Sequence, residues 1–117
     1  MIAISLWKND EKRAKDATVI IGKRNIYFNG DYIKRGTKIC IFMKLSELEE
    51  IEGEEFRYVE VNKVIFRSCM YIEIKSQYQY VYFYDKEWDI LGYLPIREID
   101  ELTLVTTDGV MFIADKQ

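Results

Sequence analysis

Apolar and polar residues alternate with a period of two along most of this chain, which predicts short β-strands from end to end. Ile2, Ile4 and Leu6 share one face of a first strand. Val19-Ile20-Ile21 forms the next strand, within residues 17–22. The clearest hairpin follows, with Ile26-Tyr27-Phe28 and Tyr32-Ile33 flanking Asn29-Gly30. Asn-Gly supplies the two positive-φ positions that a type I′ turn requires. Residues 37–43 carry the continuous apolar run Ile39-Cys40-Ile41-Phe42-Met43, the signature of a strand buried on both faces. Further strands are predicted over 57–61 and 63–67, meeting at Asn62, and over 70–75 and 79–84 around Ser76-Gln77-Tyr78. The last three cover 90–94, 102–106 and 110–114, with an Asp108-Gly109 turn between the final two.

Two segments break the alternation. In Leu45-Ser46-Glu47-Leu48-Glu49-Glu50-Ile51 the apolar spacing switches to three, predicting a single helical or 3₁₀ turn that Gly53 stops. Ile96-Arg97-Glu98-Ile99-Asp100-Glu101-Leu102 aligns with it without a gap. The sole proline, Pro95, stands where this second turn opens, and its fixed φ suits a first helical position. Similar strings flank both turns. Ile26-Tyr27-Phe28 is echoed by Val81-Tyr82-Phe83 upstream, and Val64-Ile65-Phe66 by Val110-Met111-Phe112 downstream. The echo suggests a duplicated hairpin, turn, hairpin unit over about 24–67 and 79–114, against the alternative that such turns are simply a common way to round a corner. Two units are too few for a solenoid.

The expected architecture is therefore all-β, or β-rich α+β with one or two short helical turns. It is an antiparallel sandwich or partly open barrel with two pseudo-symmetric halves, in one domain spanning residues 1–117. Leu94-Pro95-Ile96-Arg97-Glu98-Ile99 is similar to the turns that link short strands in the N-terminal β-domain of the CRISPR spacer integrase. Strand–turn–strand strings of this kind also resemble those of pleckstrin-homology-like domains. The likeness covers under a third of the chain, includes nothing like the integrase's catalytic domain, and assigns no family.

The most distinctive stretch is Tyr78-Gln79-Tyr80-Val81-Tyr82-Phe83-Tyr84. In one strand its four tyrosines line one face while Gln79, Val81 and Phe83 take the other. The preceding strand alternates in the same way, with Ile72 and Ile74 opposite Tyr71, Glu73 and Lys75. If Val81 and Phe83 join Ile72 and Ile74 in the core, then Tyr71, Tyr80, Tyr82 and Tyr84 face outward beside Lys75. Trp88 and Tyr93 follow closely in sequence. Aromatic rings with a polar tip give a large contact area at low entropic cost, as recognition surfaces require. They also serve as stacking platforms for unpaired bases. The plain structural alternative is that tyrosine is among the best strand formers and that cross-strand aromatic pairs stabilise sheets.

Composition narrows the functional classes. Hydrophobic content of 49% is ample for a core. A chain of 117 residues buries roughly two-thirds of its unfolded surface without metal or disulfide support. Histidine is absent, which removes Ser-His and Cys-His nucleophiles and histidine acid–base chemistry. The six glycines are isolated, so no phosphate loop is formed. Cys40 and Cys69 stand in apolar runs and read as buried thiols, with a bridge as the lesser alternative. With neither a CxxC pair nor imidazole, structural zinc is not expected, and neither is any cofactor. Asp85 with Asp89, or Asp100 with Asp108, offers carboxylates for Mg²⁺, though their spacing does not set them apart from surface acids. The N-terminus lacks signal-peptide features, and no apolar run approaches the ~18–20 residues of a membrane span, which points to a cytoplasmic protein. Sixteen isoleucines, abundant Glu and Lys and only three Gln resemble thermophile usage.

Charge is unevenly spread. Residues 1–44 hold ten Lys/Arg against four Asp/Glu, and residues 45–117 hold seven against sixteen, for a net charge of −3. Lys12, Arg13, Lys15, Lys23, Arg24, Lys34 and Arg35 make a candidate basic patch, while Glu47, Glu49, Glu50, Glu52, Glu54 and Glu55 gather the acid. Such asymmetry steers charged partners, or simply keeps two edges solvated. The expectation is a non-catalytic protein engaging a macromolecular partner, another protein or a second copy of itself, through Tyr71, Tyr78, Tyr80, Tyr82, Tyr84 and Trp88. The alternative is a single-stranded nucleic-acid binder that combines tyrosine stacking with the basic N-terminal half. No membrane partner is expected, and an acidic pI near 5.1 argues against non-specific DNA coating.

Overall fold

In the computed structural model, residues 3–6, 19–21, 25–28, 30–34, 39–75 and 77–116 are described. The strands are β1 (Ala3–Leu6), β2 (Val19–Ile21), β3 (Asn25–Phe28), β4 (Asp31–Lys34), β5 (Ile39–Lys44), β6 (Phe56–Val61), β7 (Val64–Ile65), β8 (Tyr71–Lys75), β9 (Tyr80–Tyr84), β10 (Ile90–Pro95), β11 (Glu101–Thr106) and β12 (Met111–Asp115). Two 3₁₀ turns interrupt them, η1 (Leu45–Ile51) and η2 (Ile96–Glu98). The all-β expectation holds. The strands form a six-stranded sheet of order β1-β5-β12-β11-β6-β7 and two three-stranded sheets, β10-β9-β8 and β2-β3-β4.

Every strand pair is antiparallel except β5 with β12, which run parallel with Ile41 opposite Phe112. The expected antiparallel arrangement thus holds for every described pair but this one. A parallel neighbour needs a long crossover, and here most of the molecule lies between the two strands in sequence. The continuous apolar run that predicted burial of β5 is matched by Ile39, Cys40, Ile41 and Met43, all buried, with only Phe42 half-covered.

Local signals account for the turns. Between β3 and β4, Phe28 lies opposite Asp31 and Gly30 holds φ 85°, while Asn29 lies outside the described residues. Asn62 and Lys63 both take left-handed φ, 49° and 68°, as a two-residue hairpin between Val61 and Val64 demands. The Asn62 side chain then ties this hairpin to η2. Its Nδ2 donates to the Glu98 carbonyl at 2.8 Å, and its Oδ1 accepts from the Asp100 N–H at 2.7 Å and the Glu101 N–H at 3.2 Å. At the Asp108-Gly109 turn, the buried Thr106 hydroxyl donates to the Asp108 carboxylate and accepts from the Val110 N–H at 2.9 Å.

The two turns that echo each other in sequence both adopt 3₁₀ geometry, with apolar positions three apart turned inward. Leu45, Leu48 and Ile51 are buried in and around η1, and Ile99 and Leu102 just after η2. Their settings differ, because η1 follows a strand of the six-stranded sheet and η2 follows one of a three-stranded sheet. Pro95 is the last residue of β10 and caps η2 instead of opening it. A single apolar cluster joins all these parts. It takes Ile26 from β3, Ile41 from β5, Val59 from β6, Ile72 and Phe83 from β8 and β9, and Leu104 and Phe112 from β11 and β12. Each of the three sheets thus turns apolar side chains into a common interior, the arrangement of a sandwich. Cys40 and Cys69 are both buried, and burial pushes the Cys69 thiol up to about 11. No helix among the described residues is long and apolar enough to cross a membrane.

Candidate functional site

Strand β9 divides its side chains as alternation requires. Val81 and Phe83 are completely buried, while Tyr80, Tyr82 and Tyr84 are half-exposed on the opposite face. Register carries the division across the sheet. On β8, Ile72 and Ile74 lie opposite Phe83 and Val81, and Tyr71, Glu73 and Lys75 lie opposite Tyr84, Tyr82 and Tyr80. On β10, Tyr93 pairs with Tyr82 and joins the same outer face. A register shift between Ile90 and Gly92 marks a bulge, and Gly92 takes the inner side, where the Phe66 ring lies 3.6 Å from the position a Cβ would occupy. Phe66 in turn packs edge-on against Phe83, ring centroids 4.5 Å apart.

The outer aromatics form one connected row. Tyr93 meets Tyr80 edge-on at 5.7 Å and stacks on Tyr82 at 5.3 Å. Tyr82 stacks on Tyr84 at 6.5 Å, and Tyr84 is tilted against Trp88 at 5.3 Å. Trp88 then lies flat on Tyr71, with centroids 4.1 Å apart and planes 6° from parallel. Offset and edge-on contacts at these separations are the favourable geometries of aromatic pairs. Trp88 and Tyr93 are the most open rings of the row, 56% and 59% exposed.

Backbone geometry holds Trp88 in place. The Asp85 carboxylate accepts the N–H groups of Glu87 at 2.8 Å and Asp89 at 3.0 Å, folding the 85–89 turn back on itself. The Asp85 N–H donates to the Asp89 carbonyl, and the Trp88 N–H donates to the Asp85 carbonyl, both at 3.0 Å. Trp88 itself sits at φ 63°, a left-handed conformation that costs a residue with a Cβ about 1–2 kcal/mol. Asp85 therefore works as a turn-former. Neither sequence spacing nor strand alternation showed that the turn would seat the indole on Tyr71.

A small polar network crosses the row. The Tyr84 hydroxyl donates to Glu73 Oε1 at 2.7 Å, and Lys75 Nζ lies 3.4 Å from the same oxygen and 5.5 Å from the centre of the Tyr82 ring. The hydrogen bond from Tyr84, with Lys75 assisting, holds the Glu73 carboxyl below its usual range. Burial, and then the hydrogen bond to the Glu73 carboxylate, pushes Tyr84 up to about 12. Glu52, beside η1, is raised by burial first and then by repulsion from Glu73 and Glu49, so the acidic η1 region reaches the edge of this face.

The sequence-derived site residues are partly brought together. Tyr71, Tyr80, Tyr82, Tyr84 and Trp88 belong to the row. Tyr78, expected as a fourth strand tyrosine, instead lies exposed in the four-residue connection between Lys75 and Tyr80. Its N–H donates to the Lys75 carbonyl at 2.9 Å, and Gln79 turns the chain with a φ of 55°. Strand alternation begins only after that left-handed residue, which is why Tyr78 does not follow it. Tyr93 was underweighted from sequence, because its place beside Tyr82 depends on long-range register. Of the basic patch, Lys34 is exposed at the end of β4, while Lys12, Arg13, Lys15, Lys23, Arg24 and Arg35 lie outside the described residues. Among the described residues no three His, Cys, Asp or Glu side chains converge as a metal would require.

The face can offer ring surface and hydroxyl groups. Between residues 71 and 95 the charged side chains are Lys75 and Lys86 against Glu73, Asp85, Glu87 and Asp89. Compared with protein-family profiles, with characterised proteins and with solved structures, the chain matches none.

Proposed function

We propose that this protein is a non-catalytic interaction protein that binds another protein through the outer face of the β8-β9-β10 sheet. The observation carrying the reading is the connected row of six rings, half-exposed along its length and open at Trp88 and Tyr93. Tyrosine and tryptophan held rigid by their neighbours lose little entropy on binding, and such residues dominate interface energetics. Charge along this stretch selects among partners. Glu73, Asp85, Glu87 and Asp89 outnumber Lys75 and Lys86, so the face favours a partner surface carrying Arg or Lys. Ring faces add to that preference through cation–π contacts.

The same charges weigh against nucleic acid. Affinity for a phosphate backbone comes from Lys and Arg that displace counterions, and between residues 71 and 95 four acids stand against two lysines. The test compares the wild type with a Tyr82→Ser/Tyr93→Ser variant, each immobilised and exposed to extract from the source organism. The expected outcome is a protein retained by the wild type and lost with the variant, which melts cooperatively at a lower temperature because its ring contacts are gone. A short oligothymidylate added at low salt is expected to leave Tyr and Trp fluorescence unaltered. Saturable quenching that weakens with salt and vanishes in the variant would overturn the reading in favour of nucleic acid.

A further inference from the structure

The two edges of the tyrosine-bearing sheet are built differently. Strand β8 carries Glu73 and Lys75, and η1 packs beside it. Charged side chains and a covering element are the usual devices that keep an edge strand from pairing with another chain. Strand β10, Ile-Leu-Gly-Tyr-Leu-Pro, has no charged residue at all, and among the described residues its only ladder partner is β9. Ile90 is 59% and Leu91 41% exposed, large values for aliphatic side chains on neighbouring positions. Exposed Val64 and Ile65 of β7, the terminal strand of the six-stranded sheet, lie just before the Phe66 that packs on Gly92. Exposed apolar side chains of β7 and β10 therefore flank the Phe66–Gly92 contact, and among the described residues neither strand has a second ladder partner.

We infer that β10 is a strand-addition edge occupied by a second copy of this chain, the two β10 strands pairing antiparallel about a two-fold axis. Two features point to this occupant. An uncharged strand pairs with its own copy without placing like charges opposite each other. Exposed Asp89 precedes β10, and exposed Arg97, followed by exposed Glu98, comes after it. Antiparallel self-pairing sets the Asp89 end of each copy toward the Arg97 end of the other, giving two Asp89–Arg97 contacts by symmetry. Pro95, which lacks an N–H, and the bulge at Ile90–Gly92 blunt the two ends of this edge, so the pairing is confined to a short central segment.

The product is a six-stranded sheet of order β8-β9-β10-β10-β9-β8. Because the axis of such a pair stands perpendicular to the sheet, both tyrosine rows fall on the same side. The inference thus extends the proposed protein-binding face to a doubled platform, although the edge pairing does not depend on that face having a partner.

Sedimentation equilibrium of the intact chain tests it. The wild type is expected to show a concentration-dependent monomer–dimer equilibrium, and Ile90→Lys/Leu91→Lys to raise the dissociation constant at least about 100-fold. Asp89→Arg alone is expected to weaken the dimer, and Asp89→Arg/Arg97→Asp to restore it, a rescue that needs only surface positions and does not challenge folding. Hydrogen exchange on concentrating the wild type is expected to slow at residues 90–95. A wild type that stays monomeric at its highest soluble concentration overturns the inference. So does a dimer indifferent to Ile90→Lys/Leu91→Lys, or one whose new protection lies elsewhere. A monomer that still captures a protein through Tyr82 and Tyr93 overturns the edge pairing while leaving the face reading standing. A dimer with no captured protein supports the pairing and removes the other.

Discussion

The two faces of the β8-β9-β10 sheet share one backbone and are chemically opposite. Inward, Ile72, Val81 and Phe83 are almost wholly removed from water and join the common core. Outward, Tyr71, Tyr80, Tyr82, Tyr84 and Tyr93 touch chiefly one another, Trp88, Glu73 and Lys75. The inner face is held by packing and owes its stability to area removed from water. The outer face is held by ring–ring contacts of smaller worth and retains surface that a partner can still cover. Residues adjacent in the chain therefore divide between stabilising the fold and presenting a surface.

Substitutions across β9 break this comparison most sharply on the inner side. Phe83→Ala removes a fully buried ring that contacts Phe66, and is expected to lower unfolding stability by about 3–5 kcal/mol in chemical denaturation. At the margin of the outer face, Trp88→Ala is expected to cost about 1 kcal/mol through loss of the Tyr71 stack. Trp88→Gly should be about 1 kcal/mol more stable than Trp88→Ala in the same measurement, because glycine relieves the left-handed backbone at φ 63°. If the glycine variant were the less stable, the turn would not be storing strain.

Tyr84→Phe removes one surface hydrogen bond and is expected to cost about 0.5–1 kcal/mol. The pair also predicts pH behaviour. Tyr84, raised to about 12 from 10.0, contributes stability that is full below pH 10 and is lost as pH rises toward 12. Glu73, lowered from 4.5, contributes stability present above that value and lost as pH falls through its folded-state range. Ultraviolet titration should show a phenolate ionising near pH 12 that disappears in Tyr84→Phe, while Tyr58, raised by its hydrogen bond to Glu60, remains, and the acid limb of the stability profile should flatten in Glu73→Gln. The smallest effect is expected at Tyr78, exposed in its turn: Tyr78→Ser should leave the melting temperature within experimental scatter.

Much of this arrangement was legible from local pattern. The strands, the Asn29-Gly30 and Asp108-Gly109 turns, and the inward 45–51 segment follow from alternation, positive-φ chemistry and spacing of three, each a matter of neighbours in sequence. That Val81 and Phe83 share one face of β9 and the tyrosines the other was legible too, but which face turns inward was settled only by the packing of the sheet. Tyr93 and Trp88 were harder. Their places depend on β10 pairing with β9 across a bulge and on Asp85 folding the 85–89 turn, and neither is signalled by hydrophobic periodicity. The basic patch that stood out in composition is represented among the described residues by Lys34 alone, on β4 of a different sheet from the aromatic row.

Sequence alone determined the strand periodicity, the two short turns and which residues of β9 share a face, because a two-residue side-chain period and a left-handed turn are properties of adjacent residues. Only the tertiary structure decided that β5 lies parallel to β12, that the tyrosines of β9 meet Tyr93 and the Tyr71–Trp88 stack, and that β10 ends its sheet with no charge to guard it. Those outcomes depend on which strands pair. Pairing is settled by burial of the whole apolar set at once, so no single segment carries it.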